Sequence, residues 1–203
     1  MPILFSFSQN APSTAEQAFV PIIILLLPFF LLLVVEKKRF KEIPKNLYIR
    51  RPDIISGLKL FLLIFFILVV ESLFLYLVGF LDTEKVSKVI AKQSMLFILL
   101  AIFASPIGEE LLFRGYLQPK AEKSLKCVFS TLPLGSAAIS ITLVSVLFAL
   151  LHYGYGSVSE IVGAFTFSVI SGLWLNKEKN VVPCIMAHAL FNSLAICIAL
   201  KYV

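Results

Sequence analysis

Six stretches of this chain are each long and apolar enough to cross a membrane, and that constrains its fold more than any other feature. About 20 apolar residues rising 1.5 Å each span a hydrocarbon core of about 30 Å. The runs cover residues 18–35, 54–81, about 94–117, about 132–152, about 157–175 and 181–201. Inside hydrocarbon each backbone N–H and C=O must be bonded within its own segment, so runs of this length read as helices. The expected fold is therefore all-α, a polytopic transmembrane bundle of about six membrane helices. Composition agrees, with 59% apolar residues, 15% charged and a mean hydropathy of +0.95. Soluble domains run at about 45–50% apolar and about 25% charged. That balance excludes an ordinary cytosolic enzyme, a disordered tail and a nucleic-acid-binding module. Residues 1–17 read as an N-terminal tail and 18–203 as a single membrane-embedded helical domain. The first run reads as an anchor rather than a signal peptide, because a basic block follows it and no basic region precedes it.

The basic residues set the expected orientation. The loop 36–53 holds seven Lys and Arg, residues 118–128 hold three and 176–180 hold two, which gives twelve on one face. The opposite face has three in 82–92 and one at Lys201, four in all. This places both termini outside and the basic loops in the cytoplasm. Cys127, Cys184 and Cys197 lie in or beside apolar stretches, an odd number that reads as small apolar fillers rather than a disulfide framework.

Against this background the ionisable residues inside the runs stand out. An ionised side chain at mid-bilayer costs about 2.5–3.5 kcal/mol on insertion scales, so each needs a reason to be there. The third run carries Glu109, Glu110 and Arg114 within six residues. Glu110 and Arg114 are i and i+4 with the acid first, the favourable order for an ion pair. Glu109 is about 100° away, without a local cation, on the face of Phe113. The two histidines of the chain both sit in apolar segments: Phe148 precedes His152 by four residues, and Asn192 follows His188 by four. Taken singly, each has a structural explanation as an ion pair or an interhelical hydrogen bond. Two adjacent acids and both histidines on three separate helices favour a site.

One carboxylate and two imidazoles can activate water, either by general base action or by holding a metal that lowers its pKa. Asn192 can donate to the oxyanion that forms on an attacked carbonyl. No HExxH helix and no GxSxG turn is present. Cys184 shares a face with His188, but apolar surroundings leave a thiol inert. Glu71 lies deep in the second run, lining a cavity or serving structure; Lys59 is expected to reach the membrane boundary, and Glu160 to complement the dipole at the start of the fifth helix.

Three stretches together resemble the CPBP intramembrane proteases, also known as the Rce1-like, CAAX protease or Abi family. EExxxR is matched by Glu109 to Arg114, with Phe113 before the arginine and Gly115 after it; FxxxH by Phe148 to His152; and HxxxN by His188 to Asn192. The resemblance covers roughly residues 90–200 and implies an Rce1-like fold. It implies an endopeptidase in which Glu109 and His152 activate water and His188 with Asn192 stabilises the oxyanion. Glu110 would be a second essential acid, and Arg114 its partner or a substrate contact. Glu109, His152 and His188 have the composition of a His₂Glu zinc site and equally that of a glutamic base with two imidazole helpers, so no cofactor and Zn²⁺ both stay open. The implied partners are the lipid bilayer and a membrane-bound peptide or protein, such as a prenyl-protein, a bacteriocin or a sorting signal. The expected location is the plasma membrane of a prokaryotic cell. The alternative is a non-catalytic bacteriocin self-immunity or membrane interaction protein that keeps the fold. For hydrolysis the three side chains must converge, which requires a fourth helix that is short or steeply tilted, beginning near Gly135 and continuing through Tyr153.

Overall fold

The computed structural model describes residues 14–128 and 133–201, which form helices and turns with no strand. The helices are α1 (Thr14–Phe30), α2 (Ile43–Asn46), α3 (Ile54–Leu77), α4 (Thr83–Ala91), α5 (Met95–Glu110), α6 (Gln118–Val128), α7 (Pro133–Leu150), α8 (Val158–Glu178) and α9 (Val182–Lys201). Two π-helical segments, Leu31–Val35 and Leu111–Leu117, continue α1 and join α5 to α6. Six rods are long and apolar enough to cross a membrane: Ala18–Val35, Ile54–Leu77, Met95–Cys127, Gly135–Tyr155, Val158–Glu178 and Val182–Lys201. The expected tail overlaps the first of these helices. Residues 1–13 lie outside the described residues, and 14–17 already belong to α1.

Local chemistry sets the helix ends. Asp53, Ser94 and Ser157 cap α3, α5 and α8 by accepting from the backbone N–H of Ser56, Phe97 and Glu160 at 3.0, 3.3 and 3.1 Å. Gly79 and Gly156 take positive φ angles of 77° and 65° in the turns that follow α3 and precede α8. Two segments read as loops are helical. Residues 118–128 extend the third rod to 33 residues, because they combine good helix formers with an ion pair between Glu122 and Lys126. Residues 83–91 form α4, whose Val86 and Ile90 turn inward while Lys85 and Lys88 stay exposed beside Asp82 and Glu84. The second run ends as helix at Leu77 rather than at residue 81, and the fifth reaches Glu178.

The rods pack in a ring: α1 on α5, α5 on α9, α9 on α3, α3 on α8, α8 on α7 and α7 on α6. Close approach depends on small residues. An added Cβ at Gly108 would lie 2.6 Å from the backbone of Leu25, so α1 and α5 touch main chain to main chain there. The outward faces carry Phe66, Val70, Phe74, Phe103 and Leu147, all exposed and apolar, as a lipid-facing surface requires. Buried inside are Leu60, Ile64, Phe148 and Phe167. At the basic face, the N–H of Val181 bonds the carbonyl of Tyr48 at 3.0 Å and Asn180 bonds that of Arg51 at 3.2 Å, tying the loop after α1 to the start of α9.

At the opposite face Asp82 fastens α4 to the start of α8. Its carboxylate accepts from the hydroxyls of Ser157 and Ser159 and pairs with Lys85 at 3.0 Å. Burial raises the Asp82 pKa, but the bonds from Ser157, Lys85 and Ser159 outweigh it and hold the carboxyl well below the usual carboxylate range. A carboxyl depressed in the folded state stabilises the fold above its unfolded pKa, and that contribution is lost as pH falls through the folded value. Replacement Asp82→Asn is expected to lower the melting temperature at pH 7 by about 3 °C, roughly 1 kcal/mol. Melting curves taken below about pH 4 should show the gap between variant and parent closing; a gap that persists would contradict this role for Asp82.

Candidate active site

The site is built on the stretch from Gly108 to Gly115, in which every residue is buried. A helix enclosed on all sides must have each side chain matched by a neighbour. Pro106 removes one backbone donor just before this stretch, and from Leu111 the helix widens to i→i+5 bonding, as between the N–H of Gln118 and the carbonyl of Phe113. Such π turns recur at functional sites because they re-aim side chains without ending the helix.

Arg114 and Glu110 are both 0% exposed. Their ion pair, expected from the i, i+4 spacing, is present with Nε at 3.2 Å from Glu110 Oε2. It is too bent for a hydrogen bond, and the two terminal nitrogens of Arg114 also make none among the described residues. The guanidinium lies instead over the ring of Phe148, 4.5 Å from its centroid, with Phe167 at 5.9 Å. The second oxygen of Glu110 accepts from His188 Nδ1–H at 2.9 Å. The result is a chain of three groups, Arg114–Glu110–His188, running from the third rod to α9.

That bond turns His188 Nε2 toward Glu109, whose Oε2 is 3.9 Å away. His188 and Glu109 are 5% and 7% exposed. His152 lies in the turn after α7, not within the helix, because α7 ends at Leu150. Its backbone N–H bonds the carbonyl of Ala149, and its Nδ1–H donates to the carbonyl of Phe148 at 2.9 Å, while Nε2 has no hydrogen bond among the described residues. The Phe148 ring lies tilted against the His152 ring at 4.8 Å and edge-on to that of His188 at 6.0 Å, and it meets Phe113 edge-on at 5.2 Å. With α7 ending at Leu150, the turn that follows places His152 on the wall of a cavity that Glu109 also lines. Asn192 Nδ2 donates to the carbonyl of Ala101 at 2.9 Å, so one of its N–H groups holds α9 to α5.

Glu109, His152, His188 and Asn192 line one cavity of about 110 Å³, which runs toward α4. Glu110 and Arg114 lie behind it. Motif reading did not single out Tyr155 or Ser105, which also line this cavity, nor Gln93 at its far end. Tyr155 stacks 6.2 Å from His152, and its place three residues later was the available signal. Glu160, read as a partner of the helix dipole, faces the cavity as well. Cys184 is buried and its Sγ donates to the carbonyl of Ser171 at 3.5 Å, a core position outside the lining of this cavity. No group of three or more His, Cys, Asp or Glu side chains among the described residues is placed to hold a metal ion. Each histidine is bonded through Nδ1, and His188 Nε2 lies 3.9 Å from Glu109 Oε2; a bonded Nδ1 is also the usual setting of a zinc-binding imidazole, so this donor set suits Zn²⁺ as well as an activated water.

Residues 91–194 match the family model described as Type II CAAX prenyl endopeptidase Rce1-like. No curated protein and no solved structure shows a significant match to the chain.

Removing one member of the buried pair strands the other charge, which typically costs about 3–5 kcal/mol. Arg114→Met should therefore lower stability in detergent by that order, and Glu110→Gln in the Arg114→Met background should recover part of it. Strictly additive losses in this double-mutant cycle would show that the two groups are not coupled.

Proposed function

The chain belongs to the Rce1-like family of type II CAAX prenyl endopeptidases, and from that premise we propose that it is an intramembrane endopeptidase of glutamic type, cutting a peptide bond in a membrane-associated protein or peptide. The observation that carries this reading is the meeting of Glu109 with His188 at 3.9 Å in a cavity that His152 and Asn192 also line.

In the proposed reaction Glu109 takes a proton from water lying between it and His152 Nε2. The hydroxide so formed attacks the carbonyl carbon of the substrate, and the carbonyl π electrons move to oxygen. A protonated His188 Nε2 and the second N–H of Asn192 donate to that oxyanion. Glu109 then passes its proton to the amide nitrogen as the C–N bond breaks, which leaves a carboxylic acid and an amine. Glu110 is a positioning residue: its bond to Nδ1 fixes the ring of His188, and its charge stabilises the imidazolium, with Arg114 balancing the pair. The hydrocarbon surroundings and the buried Phe148 floor keep the reacting groups in a low-dielectric space, where each of these interactions is strengthened.

We further place the basic loops in the cytoplasm, on the strength of twelve Lys and Arg against four. The cavity then faces the non-cytoplasmic side, since it runs from Glu109 toward Val86 and Ile90 of α4.

Glu109→Gln, His152→Ala and His188→Ala are each expected to reduce cleavage of a reporter peptide in proteoliposomes by about 10²–10⁴-fold. Full activity in any one of them would remove that residue from the mechanism. Zinc chelators should leave the wild-type rate unchanged; metal that leaves together with activity would replace the glutamic mechanism by a metal-assisted one.

A further inference from the structure

Glu71 stands inside the membrane-spanning part of α3, and nothing in the proposed hydrolysis uses it. A second cavity, of about 300 Å³, gives it a setting. Cavities that take ligands start at about this size. It lies between α3, α8 and α9 and is continuous with the catalytic chamber, because His152, Glu160, His188 and Asn192 line both. Small residues leave the room: a Cβ added at Gly163 would meet nothing closer than Glu71 Oε1, at 3.7 Å.

The lining of this cavity has a distinct charge pattern. Glu71 and Glu160 both face it, and among the described residues no lysine or arginine does. The hydroxyl of Thr166 donates to Glu71 Oε2 and fixes the carboxylate, while Oε1 makes no hydrogen bond among the described residues. Neither Glu71 nor Glu160 has an ion-pair partner among those residues. In the adjoining smaller cavity Glu109 is 7% exposed and lies 3.9 Å from His188 Nε2. An acid without a cation at this depth is costly to keep, and a guest cation would offset that cost. Leu68, Phe148 and Phe167 form apolar parts of the wall, beside the hydroxyls of Ser72, Thr83 and Ser87. Acid tips above an apolar and aromatic wall match a side chain with an aliphatic stem and a cationic head.

We propose that this second cavity is a substrate subsite for a lysine or arginine side chain close to the bond that is cut. The stem lies along Leu68 and Phe167, and the head pairs with Glu71 and Glu160. The substrate class follows: a membrane-associated peptide with a basic residue beside its cleavage point. The cleavage part of this statement rests on the peptidase reading; the recognition part does not.

The test uses the full-length chain in proteoliposomes and short palmitoylated peptides that carry arginine or its neutral isostere citrulline at successive positions. Binding is measured by fluorescence anisotropy in the Glu109→Gln background, where no cleavage intervenes. At one position the arginine peptide should bind about tenfold tighter than the citrulline peptide, and in Glu71→Gln and Glu160→Gln the ratio should fall toward one. Absence of an arginine preference at every position, or a preference that survives both replacements together, overturns the subsite. Should the glutamine variants fail to fold, Gly163→Leu fills the cavity without removing an acid; undiminished arginine binding in it overturns the proposal equally. Hydrolysis of the same peptides by the unmutated chain is followed in parallel. Preference without hydrolysis supports the subsite and sinks the peptidase reading, and hydrolysis without preference does the reverse.

Discussion

A fully desolvated ion pair sets the terms for the rest of this bundle. Glu110 and Arg114 have no exposed surface at all, in a stretch of helix buried on every side. Two charges so enclosed attract strongly but forfeit their hydration, so the pair survives only where further groups complete it. Those groups come from other rods. His188 on α9 donates to Glu110, and Phe148 on α7 presents its ring to the guanidinium, with Phe167 on α8 behind it. Satisfying one charge pair thus fixes the mutual positions of α7, α8, α9 and the third rod.

The polar side chains that line the smaller cavity are placed as a consequence. Because His188 gives its Nδ1–H to Glu110, its other nitrogen must face away, and Glu109 is what it meets. Because Phe148 is held by Arg114 and Phe113, the turn one step further along the chain carries His152 to the cavity that Glu109 lines. A long, regular fourth helix would have separated these groups. The helix instead stops at Leu150, and the space above it is covered by α4, which Asp82 fastens to the head of α8. Both cavities lie beneath that cover, lined by four of the same polar residues.

Much of this was legible in the residues. The apolar runs gave six membrane rods because hydrocarbon leaves the backbone few alternatives. The i, i+4 spacing gave the Glu110–Arg114 pair, and the three short motifs gave Glu109, His152, His188 and Asn192 of the chamber lining. Local spacing did not show that Glu110 would serve His188, since that bond joins residues 78 positions apart. Asn192 is similar: its spacing from His188 marked it for the site, while its bond to Ala101 depends on how α5 lies against α9. The segments now seen as α4 and the outer part of the third rod were read as loops because their charges masked a helical period. Glu71 and Glu160, with two rods between them in the chain, gained a shared cavity only when α3 was set beside α8.

By itself, then, the sequence determined the solvent the chain folds in, the class of fold and the chemical character of the centre. Each of these depends on composition or on neighbours within a turn or two, where side-chain direction follows from helix geometry. Tertiary structure alone decided which acid faces which ring, where α7 ends relative to Glu109, and which cavities the rods enclose. Those outcomes come from packing surfaces that are far apart along the chain, with close contacts such as Gly108 against Leu25 setting distances that no local pattern encodes.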